Sequence, residues 1–195
     1  MFADKKIITA DAECFHDVKV PFSFGASEFL GNAVTCTLTN DGIYKDWIGD
    51  NTIFAMWKYM INFDYLVTFN GLNFDYPLWG GSIMGAEHIE ARKFFEKSFK
   101  GRTIDLCLDF SEVMGVRVGL ASVAVPTLGD VKELDGGFAP QHWRAGNCLE
   151  VIQYCRGDVR RTYGLLEKII NGEKLKYFDK KNNRVIDFDC KPKLR

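Results

Sequence analysis

At 195 residues and 47% hydrophobic content, the chain has material for one domain with a sizeable core, spanning 1–195, and too little for two full ones. A formal net charge of -1 excludes a global basic field, so any nucleic acid must be held by local charge or by metal ions. No apolar run reaches the roughly 18 residues that cross a bilayer, and the start MFADKKIITADAE is no signal peptide, so no membrane partner is expected. Six cysteines (Cys14, Cys36, Cys107, Cys148, Cys155, Cys190) without a C-x-x-C pair or regular spacing argue against a zinc site and a disulfide framework, and for a reducing, cytoplasmic setting.

In chain order, Lys6 to about Asp11 reads as an apolar strand that ends where the charges begin, and Phe22 to Asn32 as a loop. AVTCTLTN, the Asp41-Gly42 turn and IYKDWIG predict two antiparallel strands. From Asp50 onward Ile53, Met56, Trp57, Met60 and Ile61 recur at helical spacing, with Asp50 or Asn51 as the cap. DYLVTFN predicts a second buried strand, and Tyr76 to Met84 the helix after it, with Pro77 early enough that its missing N–H costs little. Residues 86–98 read as a charged helix, TIDLCLDFSEVMG as a strand end running into a helix, and GLASVAVPTLG as a helical turn broken by Pro126. The segment from Asn147 to Asn171, closed by Gly172, is the strongest helix, and LKYFDKKNNRVIDFD predicts a C-terminal hairpin over about 174–190. This order of strands and helices predicts an α/β layer fold with a central sheet, in which ligand sites gather at the carboxyl ends of strands.

Those strand ends carry acids. Asp11 and Glu13 are two residues apart, so in a continuing strand both carboxylates face one point. Asp75 follows the second strand, behind Asn70 and Phe74. On the long helix Tyr154 and Asp158 stand four apart and share a face. Carboxylates gathered this way repel unless they are protonated or bridged by cations, and hard oxygen donors suit magnesium or manganese. Taken singly, each motif also has a plain structural reading: a solvated strand end, an Asn-Gly turn with Asp75 as a helix cap, or Asp158 paired with Arg161 or Arg156.

Together, Asp11-x-Glu13, Asn70-x-x-x-Phe74-Asp75 and Tyr154-x-x-x-Asp158 in YCRGD resemble the three exonuclease motifs of the DEDD (DnaQ-like) superfamily of ribonuclease H-like 3′-to-5′ exonucleases. The tyrosine four residues before the last acid resembles the tyrosine-bearing (DEDDy) branch; position 153, where the histidine branch carries its histidine, is Gln. The chain is most similar to stand-alone predicted exonucleases with a C-terminal hairpin. One departure is Ala12, where the family places a bulky apolar residue between the first two acids. The resemblance implies a ribonuclease H-like fold with a central mixed β-sheet flanked by helices, and digestion from the 3′ end.

Chemically, the acids suit two-metal phosphodiester hydrolysis. Two divalent cations, Mg2+ or Mn2+, are expected, with Asp11 bridging, Glu13 and Asp158 completing one site and Asp75 serving the other or its water shell. Tyr154 orients the attacking water, as a hydrogen-bond partner more than as a base. Asn70, Phe74, Arg156 and Arg161 are candidate substrate contacts, Phe74 and Trp143 candidate stacking faces, and Trp79 a core residue. Asp105, at another strand end, is read first as a helix cap and second as a neighbour of the metal ligands. The expected partner is the 3′ end of single-stranded DNA. RNA is an alternative substrate, and a non-catalytic nucleic-acid-binding adaptor of the same fold is an alternative function. With no fused polymerase or helicase segment in the sequence, either could be a separate partner.

Overall fold

The structure is a computed structural model and describes residues 2, 4–16, 24–130 and 136–195. A five-stranded sheet lies at its centre, with order β3-β2-β1-β4-β5. Its strands are β1 (Ile7–Cys14), β2 (Asn32–Thr39), β3 (Tyr44–Ile48), β4 (Tyr65–Thr68) and β5 (Thr103–Asp105). β2 runs antiparallel to β1 and β3, whereas β1, β4 and β5 are parallel. A mixed sheet in this order, with helices on both faces, is the ribonuclease H-like arrangement. A separate antiparallel pair, β6 (Leu175–Asp179) and β7 (Arg184–Phe188), forms the expected C-terminal hairpin.

Alternation along β1 divides the core. Ile8, Ala10, Ala12 and Cys14 join one cluster with α1 (Ile53–Met60), α2 (Asp75–Met84) and α3 (Phe94–Ser98). On the other face Ile7, Val67 and Ile104 pack with α4 (Leu106–Met114), α5 (Leu120–Leu128) and α7 (Cys148–Ile170). Val34, Cys36 and Leu38 of β2 meet the N-terminal half of α7 and the short α6 (Ala139–Arg144). On α7, Val151, Cys155, Val159, Thr162 and Leu166 recur at four, four, three and four, which is the stripe that buries the helix on the sheet. Each fully buried Ile, Leu or Phe on these faces contributes about 1.5–3 kcal/mol.

Gly80 and Gly81 sit in mid-helix, where propensity disfavours them, because two backbones cross there. A Cβ on Gly80 would lie 1.8 Å from the Ala91 carbonyl oxygen, and one on Gly81 would lie 2.2 Å from that of Glu28. Since neither neighbour is a flexible side-chain end, Gly80→Ala should cost about 3 kcal/mol through overpacking, despite alanine's better helix propensity. Urea denaturation checks this as a lowered midpoint at unchanged slope; an unaltered midpoint would mean that the Ala91 segment yields freely.

Five local expectations need correction. β1 does not stop at Asp11 but runs on to Cys14, because the antiparallel ladder with β2 carries it through its acids beyond the end of its pairing with β4 at Thr9. Asp50 and Asn51 make no capping hydrogen bond at α1; Asp50 instead accepts from the Asn32 N–H at 2.7 Å and the Ser82 hydroxyl at 2.6 Å. Residues 86–98 are not one helix but a turn region, a 3-10 turn over Ala91–Lys93 and the short α3. Pro126 does not break its helix: it lies inside α5, which ends at Gly129 in the left-handed region (φ 69°). The segment read as a loop from Phe22 holds a 3-10 helix over Phe24–Phe29, its first two residues lying outside the described set.

Candidate active site

Because β1 continues through the acids, Asp11 and Glu13 both project towards α7, opposite to Ala12. Cys155, on the buried stripe of α7, comes within reach of the same place. Its thiol donates to the Asp11 carbonyl oxygen at 3.3 Å and lies 3.7 Å from Asp11 Oδ2. One ligand atom from each of Asp11, Glu13 and Cys155 falls within 4.8 Å of the others.

Asp75 reaches the cluster from the start of α2. The chain leaves β4 and turns at Asn70, which holds a left-handed conformation (φ 70°) that Asn tolerates better than most residues. The amides of Asn73 and Phe74 both donate to the Asn70 carbonyl, and the Tyr76 amide donates to that of Gly71. Beneath the turn, buried Asp105 accepts from the Asn70 amide at 2.8 Å and from the Leu72 amide at 3.1 Å, while capping α4 through the amides of Cys107 and Leu108. The cap read for Asp105 is present, and the same carboxylate also shapes the loop that leads to Asp75. The Ala12 amide completes the placement with a 3.1 Å bond to Asp75 Oδ1.

The small residue at position 12 has a structural counterpart. Ala12 pairs across the ladder with Thr35, whose hydroxyl accepts from the Trp79 indole at 2.7 Å. Trp79, fully buried, thus packs at the point where a bulkier residue at 12 would project. Trp79 is a core residue, as read from sequence. Phe74 and Trp143 are half-buried, each packed against a core cluster.

Electrostatics tie the acids together. Burial, followed by the charges of Asp75, Asp158 and Glu13, pushes the Asp11 carboxyl well above the ordinary range. Asp75 is likewise raised, by burial and then by the charge of Asp105, against the opposing pull of backbone amides. The Tyr154 phenol is raised strongly by burial and by Asp158, Glu13 and Asp11, and it is hydrogen-bonded to Asp158. Such a phenol stays protonated at neutral pH. Its hydroxyl donates to the Asp158 carboxylate.

The two arginines are occupied within the fold. Arg161 is buried; it meets Asp158 at 3.0 Å and Asp130 at 3.1 Å, so Asp158 has the partner that its plain reading supposed. Gly157 makes room for this, since a Cβ there would lie 2.9 Å from Arg161 Nη1. Arg156 is exposed and forms a forked pair with Asp46 of β3. Cys155 is the site residue that the sequence reading missed, although its spacing of three before Asp158 places it on the same helical face. Carboxylate oxygens dominate the cluster, and crowded, partly buried carboxylates are relieved by cations, so the donor set fits hard divalent ions such as magnesium or manganese. All six cysteines are unbridged, and no helix among the described residues is long and apolar enough to cross a membrane.

No protein-family model matches the chain, and no curated protein does. Among solved structures it is similar to the family B DNA polymerase from the hyperthermophilic archaeon Pyrobaculum calidifontis, at 15% sequence identity and a TM-score of 0.58. The match covers 85% of this chain and 24% of the polymerase, so the chain corresponds to a minor part of that protein's length. At this identity the likeness shows the fold.

Proposed function

We propose that this chain is a metal-dependent 3′-to-5′ exonuclease of the tyrosine-bearing type, acting on single-stranded nucleic acid and on DNA first. The observation that carries the reading is that Asp11 and Glu13 bring ligand atoms within 4.8 Å of each other while Asp75 is held on the Ala12 amide between them at 3.1 Å, with the charges of Asp75 and Asp158 both acting on Asp11. Similarity in fold to part of a DNA polymerase supports a nucleic-acid substrate. The direction of digestion rests on the resemblance of the motifs.

Asp11, Glu13 and Asp158 would hold one divalent cation, and Asp75 the second or its water shell. When bound, such ions supply an acidified water and charge stabilisation at the leaving oxygen. The chain's own residues do the rest. The Tyr154 phenol, still carrying its proton, donates it to Asp158, which fixes the ring, and its oxygen is left to accept a hydrogen bond from the attacking water and so align it. Asn70 holds the turn that sets Asp75, and Phe74 offers the exposed part of its ring to the terminal base. Arg161 limits the spread of negative charge behind Asp158.

The reading is tested with 5′-labelled single-stranded DNA and RNA of one sequence, in magnesium, manganese or chelator. A ladder shortening from the 3′ end, dependent on metal and absent in Asp75→Asn, is expected, and the faster strand names the preferred sugar. Intact strands with every metal would overturn it. Tyr154→Phe removes the positioned hydroxyl and should lower kcat about 10²-fold with KM little changed. A pH–rate profile in the wild type that loses its ascending limb in Tyr154→Phe would instead make the phenol a base.

A further inference from the structure

Away from the acid cluster a groove of about 1240 Å³ lies between α5, the α4–α5 connection and the C-terminal hairpin. A smaller depression of about 360 Å³ begins at Asn70 and Asn73, on the turn that delivers Asp75, and crosses the first turns of α4. The two share a wall, since Val116 and Arg117 line both. They therefore form one surface path from the turn that precedes Asp75 to the hairpin.

The lining of that path has a definite character. Arg117, Lys180 and Lys181 contribute positive charge, Arg184 is paired with Asp179 at 3.6 Å, and Tyr177 and Phe178 contribute half-buried rings. Asp179, the acid among the described lining residues, is committed to the hairpin turn: it accepts from the amides of Lys181 and Asn182 and from the Asn182 side chain. Lys180 and Lys181 are exposed at the tip of the hairpin. A chain with a net charge of -1 thus concentrates cations beside aromatic rings on one groove, and the depression adjoining that groove ends at Asn70 and Asn73, on the turn that precedes Asp75. Cations that follow a backbone and rings that accept bases are how single strands are held without regard to sequence.

We propose that this path binds the body of a single-stranded nucleic acid whose 3′ end occupies the acid cluster, with the hairpin's Lys180 and Lys181 contacting phosphates several nucleotides upstream. The proposal rests on the nuclease reading for what lies at one end of the path, but the groove's own charge and rings carry the binding. An acidic peptide is the competing occupant, and continuity with the Asn70 turn favours the nucleic acid.

The test compares wild type with Lys180→Glu/Lys181→Glu, and with Lys180→Ala/Lys181→Ala in case charge reversal disturbs the hairpin; thermal melting verifies each fold. Affinity for an oligonucleotide of about 16 residues, measured by fluorescence anisotropy in chelator, should fall about tenfold. The slope of log affinity against log salt should shrink by about 1.4, which is two phosphate contacts on a single strand. Cleavage of a dinucleotide in manganese should be unchanged, while KM for the long strand rises. Equal affinity and equal salt slope in wild type and folded variants would overturn the path, whatever the nuclease does. If no strand is cleaved by any protein but the lysine variants still lose binding, the nuclease reading falls and the path stands.

Discussion

Asp11→Asn is expected to lower strand cleavage by at least about 10³-fold while raising the melting temperature of the metal-free protein by several degrees. Loss of activity follows from removing the carboxylate on which the charges of the other three acids act. The gain in stability follows from the same crowding. Burial and three like charges hold the Asp11 proton more tightly in the native state than in the unfolded chain. Above the ordinary carboxylate range, the native state therefore binds more protons than the unfolded one. Stability of the metal-free protein must then fall as pH rises through that window, until the native group ionises as well. Asparagine has no such titration, and its oxygen can still accept from the Cys155 thiol. The pH dependence of the melting temperature in chelator should accordingly be flatter in the variant. Manganese should raise the wild-type value at neutral pH and leave the variant nearly unmoved, by linkage of binding to folding. A variant that melts lower than wild type in chelator, with both proteins responding equally to manganese, would show that Asp11 is an ordinary structural acid.

How far this site can be read from sequence depends on how local its causes are. Asp11 with Glu13, and Tyr154 with Asp158, are legible because strand and helix periods put each pair on one face, whatever surrounds them. The strand order is legible in outline, because β-branched runs and the Asp41-Gly42 turn announce the hairpin of β2 and β3. The errors arise where distant partners decide. Charges at Asp11 and Glu13 suggest the end of a strand, but the antiparallel neighbour β2 supplies the backbone bonds that continue it, after the pairing with β4 has ended at Thr9. Asp50 obeys the local rule for a cap, yet Ser82 and Asn32 claim its carboxylate from elsewhere in the chain. Arg161 can be paired with Asp158 from spacing alone, whereas Asp130, which helps to turn the guanidinium inward, is not visible at any helical interval. Gly80 and Gly81 look like faults in a helix until the carbonyls of Ala91 and Glu28 are seen against them.

Asp105 joins these two levels, and its removal should be the most destabilising single change near the site. Asp105→Ala is expected to cost about 3–5 kcal/mol, lowering the melting temperature by roughly 10 °C. The carboxylate is fully buried and accepts from four backbone amides, those of Asn70, Leu72, Cys107 and Leu108. Burial raises its proton affinity, and the amides of Asn70, Leu72 and Leu108 pull it back, so the carboxylate's worth lies in those donors. Alanine removes the acceptor of all four amides at once, and the side chain that it replaces is fully buried. Asp105→Asn separates the parts of the effect. Its oxygen can serve the amides of Asn70 and the α4 cap, but its NH2 group opposes the Leu72 amide, so an intermediate loss is expected. Because the same turn sets Asp75, both variants should lower kcat at temperatures where they remain folded, Asp105→Ala the more. Urea titrations together with activity at low temperature check this order. A loss below about 1 kcal/mol in Asp105→Ala would mean that the turn re-forms around water, and that Asp75 is held by Ala12 and α2 alone.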